Sequence, residues 1–401
     1  MIFLKKYFQP KRPRFLKPRT FIGYCCILFL FAGCKKEINP TFTESNIRYK
    51  PLGENSFITK VVDFDNNSFL VKVNNNKVVK ISGENLKQDW ECSFDNKVYD
   101  IISGNNAETF VIEGNYSEIN FSHLDANGNV LYKGLNILSE FPFLQKQFLG
   151  ACSDRKNGVY ILTYLNDPAL APLANRRFLV HINSNNIIDQ KVELYGFYMY
   201  LESDNVGNLF ITRTTGPEGT IMQLETSKIN MDWLKSNNSI KKDFIYKFGS
   251  QEADWKWPLY FPFKIIYNNS QLHIFKQHNT GKNDMCSGLD VIRLNSADLS
   301  LINSYTIPLD IEINNYLDQP TFYPLFTESG NYLSFNYGKK AKFVKADLSD
   351  TIVGQEYLSG NQNSCHITGM AATGGKVMVF GYSTLLKSPT YIPFVYFFKK
   401  T

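Results

Sequence analysis

From Ser56 onward the apolar residues fall into short runs that alternate with polar ones, and no long stripe recurs at the helical interval. The pattern is clearest over 204–233, DNVGNLFITRTTGPEGTIMQLETSKINMDW. A Gly-Asn turn (Gly207, Asn208) leads into an apolar strand over 209–211. A polar loop with Gly216, Pro217 and Gly219 precedes an alternating strand over 221–224, and a last strand ends on Trp233. One such unit is a small twisted sheet that cannot bury its own faces, so it predicts copies of itself on either side.

Those copies can be followed along the chain. The second strand of each unit opens an apolar run at Phe69, Phe110, Tyr160, Phe210, Ile274, Leu333 and Val379, with gaps of 41, 50, 50, 64, 59 and 46 residues. The hairpin turn Asp125-Ala126-Asn127-Gly128 between alternating runs marks unit two. Four short strands recurring every ~40–50 residues predict an all-β fold of propeller type. Seven blades are preferred over six or eight. A sandwich or barrel also gives many short strands, but not this recurring order.

Composition agrees with an all-β core: aromatic content is 15%, with 32 Phe and 23 Tyr. The formal charge of +6 changes meaning once it is located. Residues 1–33 carry seven basic side chains and no acidic one, so 43 − 7 leaves 36 basic residues against 37 acidic ones, or −1 over 34–401. The basic excess belongs to a targeting segment, and nucleic acid is not an expected partner.

That segment has a basic stretch over 1–20, an apolar run over 21–33 and then Cys34-Lys35-Lys36-Glu37. The run fits a signal-peptide core and is short for a membrane span of ~20 residues. Leu30-Phe31-Ala32-Gly33-Cys34 resembles the lipobox of bacterial lipoproteins, with Phe31 where Leu is usual; relaxed versions of this kind are found in the Bacteroidetes. The resemblance implies that Cys34 is acylated (diacylglycerol and a fatty acyl chain such as palmitate) and becomes the mature first residue. The alternative is an ordinary secretory peptide or membrane helix with incidental cysteines. Lys35 after the anchor, where an Asp would retain the chain at the inner membrane, implies an outer-membrane location. The expected organisation is a signal peptide over 1–33, a tether over 34–55 and a propeller domain over 56–401.

The recurrent segments at 207–211, 158–162 and 376–383 resemble the repeats of bacterial seven-bladed propeller lipoproteins and secreted proteins. That resemblance brings no catalytic residue with it.

Candidate chemistry is sparse. His123, His181, His273, His278 and His366 show no metal-ligand spacing. His181 and His273 fall in apolar strands as packed, hydrogen-bonded side chains, whereas His278 and His366 fall in loops. Neither a Gly-x-Ser-x-Gly elbow nor a phosphate-binding Gly-rich loop is present. Asp63, Asp65 and Asn67 alternate like calcium donors but lack the Gly and distal Glu of an EF-hand, and read as a turn. No cofactor or metal is expected.

Asp204, Glu218, Glu252, Asp254, Asp284 and Glu328 fall in predicted loops, where a glycosidase pair ~5–10 Å apart is conceivable but solvated charge is the default. Glu252–Phe263, EADWKWPLYFPF, holds the rings of Trp255, Trp257, Tyr260 and Phe261 together with Pro258 and Pro262. They suit stacking on a sugar or peptide, or else plug the seam between two blades. Cys92, Cys152, Cys286 and Cys365 allow disulfides in an exported chain, or buried thiols.

Two functions follow. One is a lipid-anchored, non-catalytic propeller binding an envelope protein or polysaccharide. The other is a carbohydrate-active hydrolase or lyase with carboxylates lining the funnel.

Overall fold

The computed structural model describes residues 52–398, apart from positions 54, 66 and 143 and the segments 167–175, 195–197, 216–222, 230–243, 248–263, 280–285, 312–320, 328–329, 338–339, 347–351, 358–362, 374–375 and 386–389. Each predicted unit is one antiparallel meander whose strands are neighbours in chain order. The blades span 58–93, 97–136, 145–194, 198–247, 264–311, 321–357 and 363–398. The first six have four strands and the last has three among the described residues.

Blade 4 follows the predicted order but not all of its predicted bounds. Its third strand is Gln223–Ile229 and its fourth Phe244–Lys247; Trp233 lies between them, outside the described residues. Leu224, Glu225, Thr226 and Ser227 are all buried, because both faces of the strand are covered. The polar members are satisfied across the sheet. Arg213 Nε donates to Glu225 Oε2 at 2.5 Å, and the hydroxyls of Thr212 and Thr226 lie 3.1 Å apart. Blade 5 repeats the device, with buried Lys276 Nζ 3.1 Å from Asp290 Oδ2. A strand whose buried positions are polar pairs shows no hydrophobic alternation, so its extent was not readable from period alone.

Every junction between consecutive blades has its own apolar cluster. Phe64, Leu70 and Val78 of blade 1 pack on Val98, Ile101 and Val111 of blade 2, and the same holds at each of the following junctions. The ring closes where Ala371, Met378, Phe380 and Val395 of blade 7 meet Ile58, Phe69 and Val71 of blade 1. Seams of this kind supply the burial that a lone blade lacks.

Polar links cross the seams as well. The indole N–H of Trp90 on blade 1 donates to Ala126 O in the blade 2 hairpin at 3.0 Å. His123 Nδ1 on blade 2 lies 2.9 Å from Asn186 Oδ1 on blade 3. One turn recurs at the strand ends: an Asp or Asn side-chain oxygen accepts the amides two and four residues on. Asp125 accepts Asn127 and Asn129, Asp154 accepts Lys156 and Gly158, Asn183 accepts Asn185 and Ile187, and Asp204 accepts Val206 and Asn208. The side chain mimics a backbone turn, which is why Asp and Asn occupy these positions.

Candidate functional site

The first strands of the blades pack on one another around the axis. They enclose a cavity of about 420 Å³ lined by residues of Ile58–Asp65, Lys264–Asn268, Thr321–Thr327 and Asn363–Thr373, from blades 1, 5, 6 and 7. Its wall mixes polar groups (Thr59, Asn268, Thr368) with aromatic ones (Tyr267, Tyr323, Phe326). Charged side chains interrupt the apolar first strands here. Lys60 on blade 1 and Lys264 on blade 5 line the cavity, with Asp63 on the wall. Asp100 on blade 2 and Glu202 on blade 4 lie near them.

Lys60 Nζ donates to Asp100 Oδ1, an ion pair that ties the first strands of blades 1 and 2 together. Lys72 Nζ donates to the carbonyls of Val98 and Tyr99 at 3.3 and 3.1 Å. Lys264 is different. Its ammonium lies over the ring of Tyr323, 5.4 Å from the centroid, and has no hydrogen-bond or ion-pair partner among the described residues. Burial, followed by the like charge of Lys60, pulls the Lys264 pKa down to about 8, against the attraction of Glu202 and Asp100. Burial pushes the Glu202 carboxyl up to about 7, although the Ser203 amide and the charges of Arg155, Lys264 and Lys60 oppose it. Asp63 is pushed in the same direction by the protein packed around it, although its side chain is exposed at the cavity wall. Desolvation therefore dominates at Lys264 and Glu202 and favours their neutral forms.

The predicted site residues fare unevenly. Cys34 and the aromatic residues Trp255, Trp257 and Tyr260 lie outside the described residues, as do Glu218, Glu252, Asp254, Asp284 and Glu328. Asp204 is not a loop-tip acid. It is buried, and both its oxygens are used in its own turn, with Asn208 Nδ2 2.5 Å from Oδ2. Asp65 accepts Asn67 N at 2.8 Å and Ser68 Oγ at 2.6 Å, which is the geometry of a turn, while Asp63 faces the cavity.

His181 is packed and hydrogen-bonded, between Asp154 (3.0 Å) and Asp189 (2.6 Å) with Tyr160 against its ring. His273 is packed against Phe326 at 4.5 Å, but neither ring nitrogen has a hydrogen-bond partner; burial and then the charge of Arg293 lower its pKa to about 4. His278 and His366 belong to the strands Gln271–Asn279 and Asn363–Thr373 rather than to loops. Both strands run on past their apolar residues, which is where the sequence pattern stops.

Cys92 and Cys152 are free thiols in different seams, not bridged to each other. Cys152 is a small buried hydrophobe whose pKa burial raises.

Sequence reasoning missed Lys60, Asp100, Glu202 and Lys264. A signal was present, since each is an ionisable residue inside an apolar or aromatic inner run, as in ITKVVDFD, KVYDIIS, YMYLES and KIIYN.

A closed ring of antiparallel meanders, six of four strands and one of three among the described residues, around an axial cavity makes this chain a β-propeller. A solved structure agrees on the fold. The chain is similar to the β-propeller domain of Cps50 (Swd1) from Myceliophteria thermophila, with a TM-score of 0.51 and 10% identity, covering 84% of this chain and 96% of that one. It is also similar to the WD40 domain of Pan2 from Neurospora crassa (TM-score 0.49, 10% identity, 84% of this chain and 88% of that one). BamB from Moraxella catarrhalis gives a TM-score of 0.38 at 10% identity, over 84% and 82% of the two chains. Identity this low speaks to fold alone. No protein-family model and no curated protein matches the sequence.

Proposed function

We propose that the chain is a lipid-anchored, non-catalytic β-propeller that binds a protein or glycan partner at the outer membrane of the cell envelope. The observation that carries the binding reading is the axial cavity. It is large enough for a ligand, and polar, cationic and aromatic groups converge in it from four blades. The anchor rests on the sequence over 21–37 and on Cys34. Multiple acyl chains, at ~0.8 kcal/mol per buried CH₂, hold such a chain firmly to a membrane.

One observation favours the second reading, a carbohydrate-active hydrolase or lyase. Asp63 and Glu202 have raised pKa values of about 6 and 7, as a general acid requires. The binding reading leads because Glu202 does not line the cavity beside Asp63, so the two carboxyls do not form a pair flanking one bound glycosidic bond.

Two experiments test these assignments. Palmitate labelling in a bacterial host should mark the full chain and be lost in Cys34→Ser; an unlabelled wild-type chain overturns the anchor. Incubation with envelope polysaccharides should release no new reducing or unsaturated ends. Release that is abolished by Asp63→Asn or Glu202→Gln would replace the binding reading with the enzymatic one.

A further inference from the structure

The binding reading leaves the ligand open, and the axial cavity narrows it. Among the described residues, Lys264 is the cavity's uncommitted cation. Lys60 is spent on Asp100 and Lys72 on two carbonyls, whereas the one described contact of the Lys264 ammonium is the face of Tyr323. A desolvated cation without a contact partner is costly, and an anion brought to it recovers that cost.

The surroundings define the remainder of such a ligand. Asn268 offers an amide; the Thr59 and Thr368 hydroxyls, which donate to the carbonyls of Lys72 and Phe380, offer acceptor oxygens, as does Asp63. Tyr323 and Phe326 offer flat apolar area against which a ring can lie. At about 420 Å³ the cavity falls within the ~300–1,000 Å³ of small-ligand sites.

We propose that the axial cavity binds a carboxylate-bearing sugar of the hexuronic-acid class, with its carboxylate on Lys264 and its hydroxyls on Thr59, Asn268, Thr368 and Asp63. This deepens the binding reading and rests on it. A bare inorganic anion would leave the hydroxyl partners and the aromatic wall unused. A neutral hexose would leave the Lys264 ammonium with no anion in contact, only the Tyr323 face and the charges of Glu202 and Asp100 further off. A peptide C-terminus shares the carboxylate but not the several hydroxyls, so it becomes an arm of the test.

The test is calorimetric titration of the folded chain with glucuronate, galacturonate, glucose, acetate and a short peptide bearing a free C-terminus. A uronate should bind about tenfold or more tightly than glucose and acetate. Lys264→Gln should lose about tenfold or more of that affinity, and Lys264→Arg should retain most of it, because a guanidinium still meets a carboxylate. Circular dichroism and a thermal melt check that each variant is folded.

Equal binding of glucose and uronate, no uronate binding, or an unchanged Lys264→Gln overturns the inference. Binding of the peptide alone also overturns it, in favour of a protein terminus, while leaving the binding-module reading standing. Turnover of a glycan, in contrast, ends the binding-module reading itself.

Discussion

At the residue scale, two positions show how the turns hold the ring. Gly207 has φ = +87°, and a Cβ placed there would come within 2.3 Å of Asp154 O on the neighbouring blade. The obstacle is backbone, not a side chain that can swing away. Gly207→Ala should therefore cost about 2–3 kcal/mol, from the left-handed conformation and the overlap together. Urea denaturation measures it, and a loss near zero would mean that the two turns do not touch.

The second position is His181. Burial pulls its pKa down, but the hydrogen bonds and charges of Asp154 and Asp189 outweigh burial and the net shift is upward from 6.5. A raised folded pKa stabilises fully below the unfolded value of 6.5 and loses that stabilisation as pH climbs through the folded one. Asp154 acts in the opposite window. Its pKa is lowered despite burial, by His181 and the Lys156 and Gly158 amides, so its contribution is present above 3.8 and fades as pH falls through the lowered value. The stability advantage of wild type over His181→Gln should shrink steadily as pH rises above 6.5. A pH-independent difference would show that the imidazole is not charged between its two carboxylates.

At the element scale, the second strand of each blade was the readable feature, for a physical reason. Phe69, Phe110, Phe210, Ile274, Leu333 and Val379 are all buried, because the second strand lies inside the sheet with a neighbouring blade on each face. Tyr160 departs from this, being only partly buried and packed on His181. Phe210 is completely buried in the seam between blades 4 and 5. Phe210→Ala should cost about 3–5 kcal/mol and lower the denaturation midpoint of the whole ring. A separate early transition for the C-terminal blades would argue instead that blades unfold as independent units.

Strand order and the runs around these positions were legible in the sequence because apolar runs bracketed by Asn, Asp and Gly turns are local signals. The bounds of the third strand of blade 4 were not, since polar residues such as Glu225, paired with Arg213, occupy its buried positions. His278 and His366 were misplaced into loops for the related reason that strands outlast their apolar residues.

At the scale of the whole molecule, the candidate site is a product of closure. Lys60, Asp100, Glu202 and Lys264 stand on four different blades, and nothing local in the chain says that they meet. Once gathered, they are coupled, which gives the site a signature in stability. Glu202 holds its proton up to about 7 in the fold against 4.5 as its ordinary value, so its contribution to stability falls as pH rises across that interval. Lys264 releases its proton near 8 rather than 10.5, so the partly buried ammonium penalises the fold below 8 and the penalty lifts between those values. Lys264→Met should then be more stable than wild type at neutral pH, with an advantage that shrinks as pH rises from about 8 to 10.5. Lys60, Asp100 and Asp63 share the axis but are unchanged in this comparison. The two groups attract each other only while Glu202 is ionised and Lys264 is protonated. A double-mutant cycle between Glu202→Gln and Lys264→Met should therefore give a coupling of about 0.5 kcal/mol or more near pH 7.5 and almost none near pH 5, where Glu202 is neutral. Equal coupling at both pH values would mean that the interaction is packing rather than charge. Coupling that is absent at both would mean that the two side chains do not share the channel.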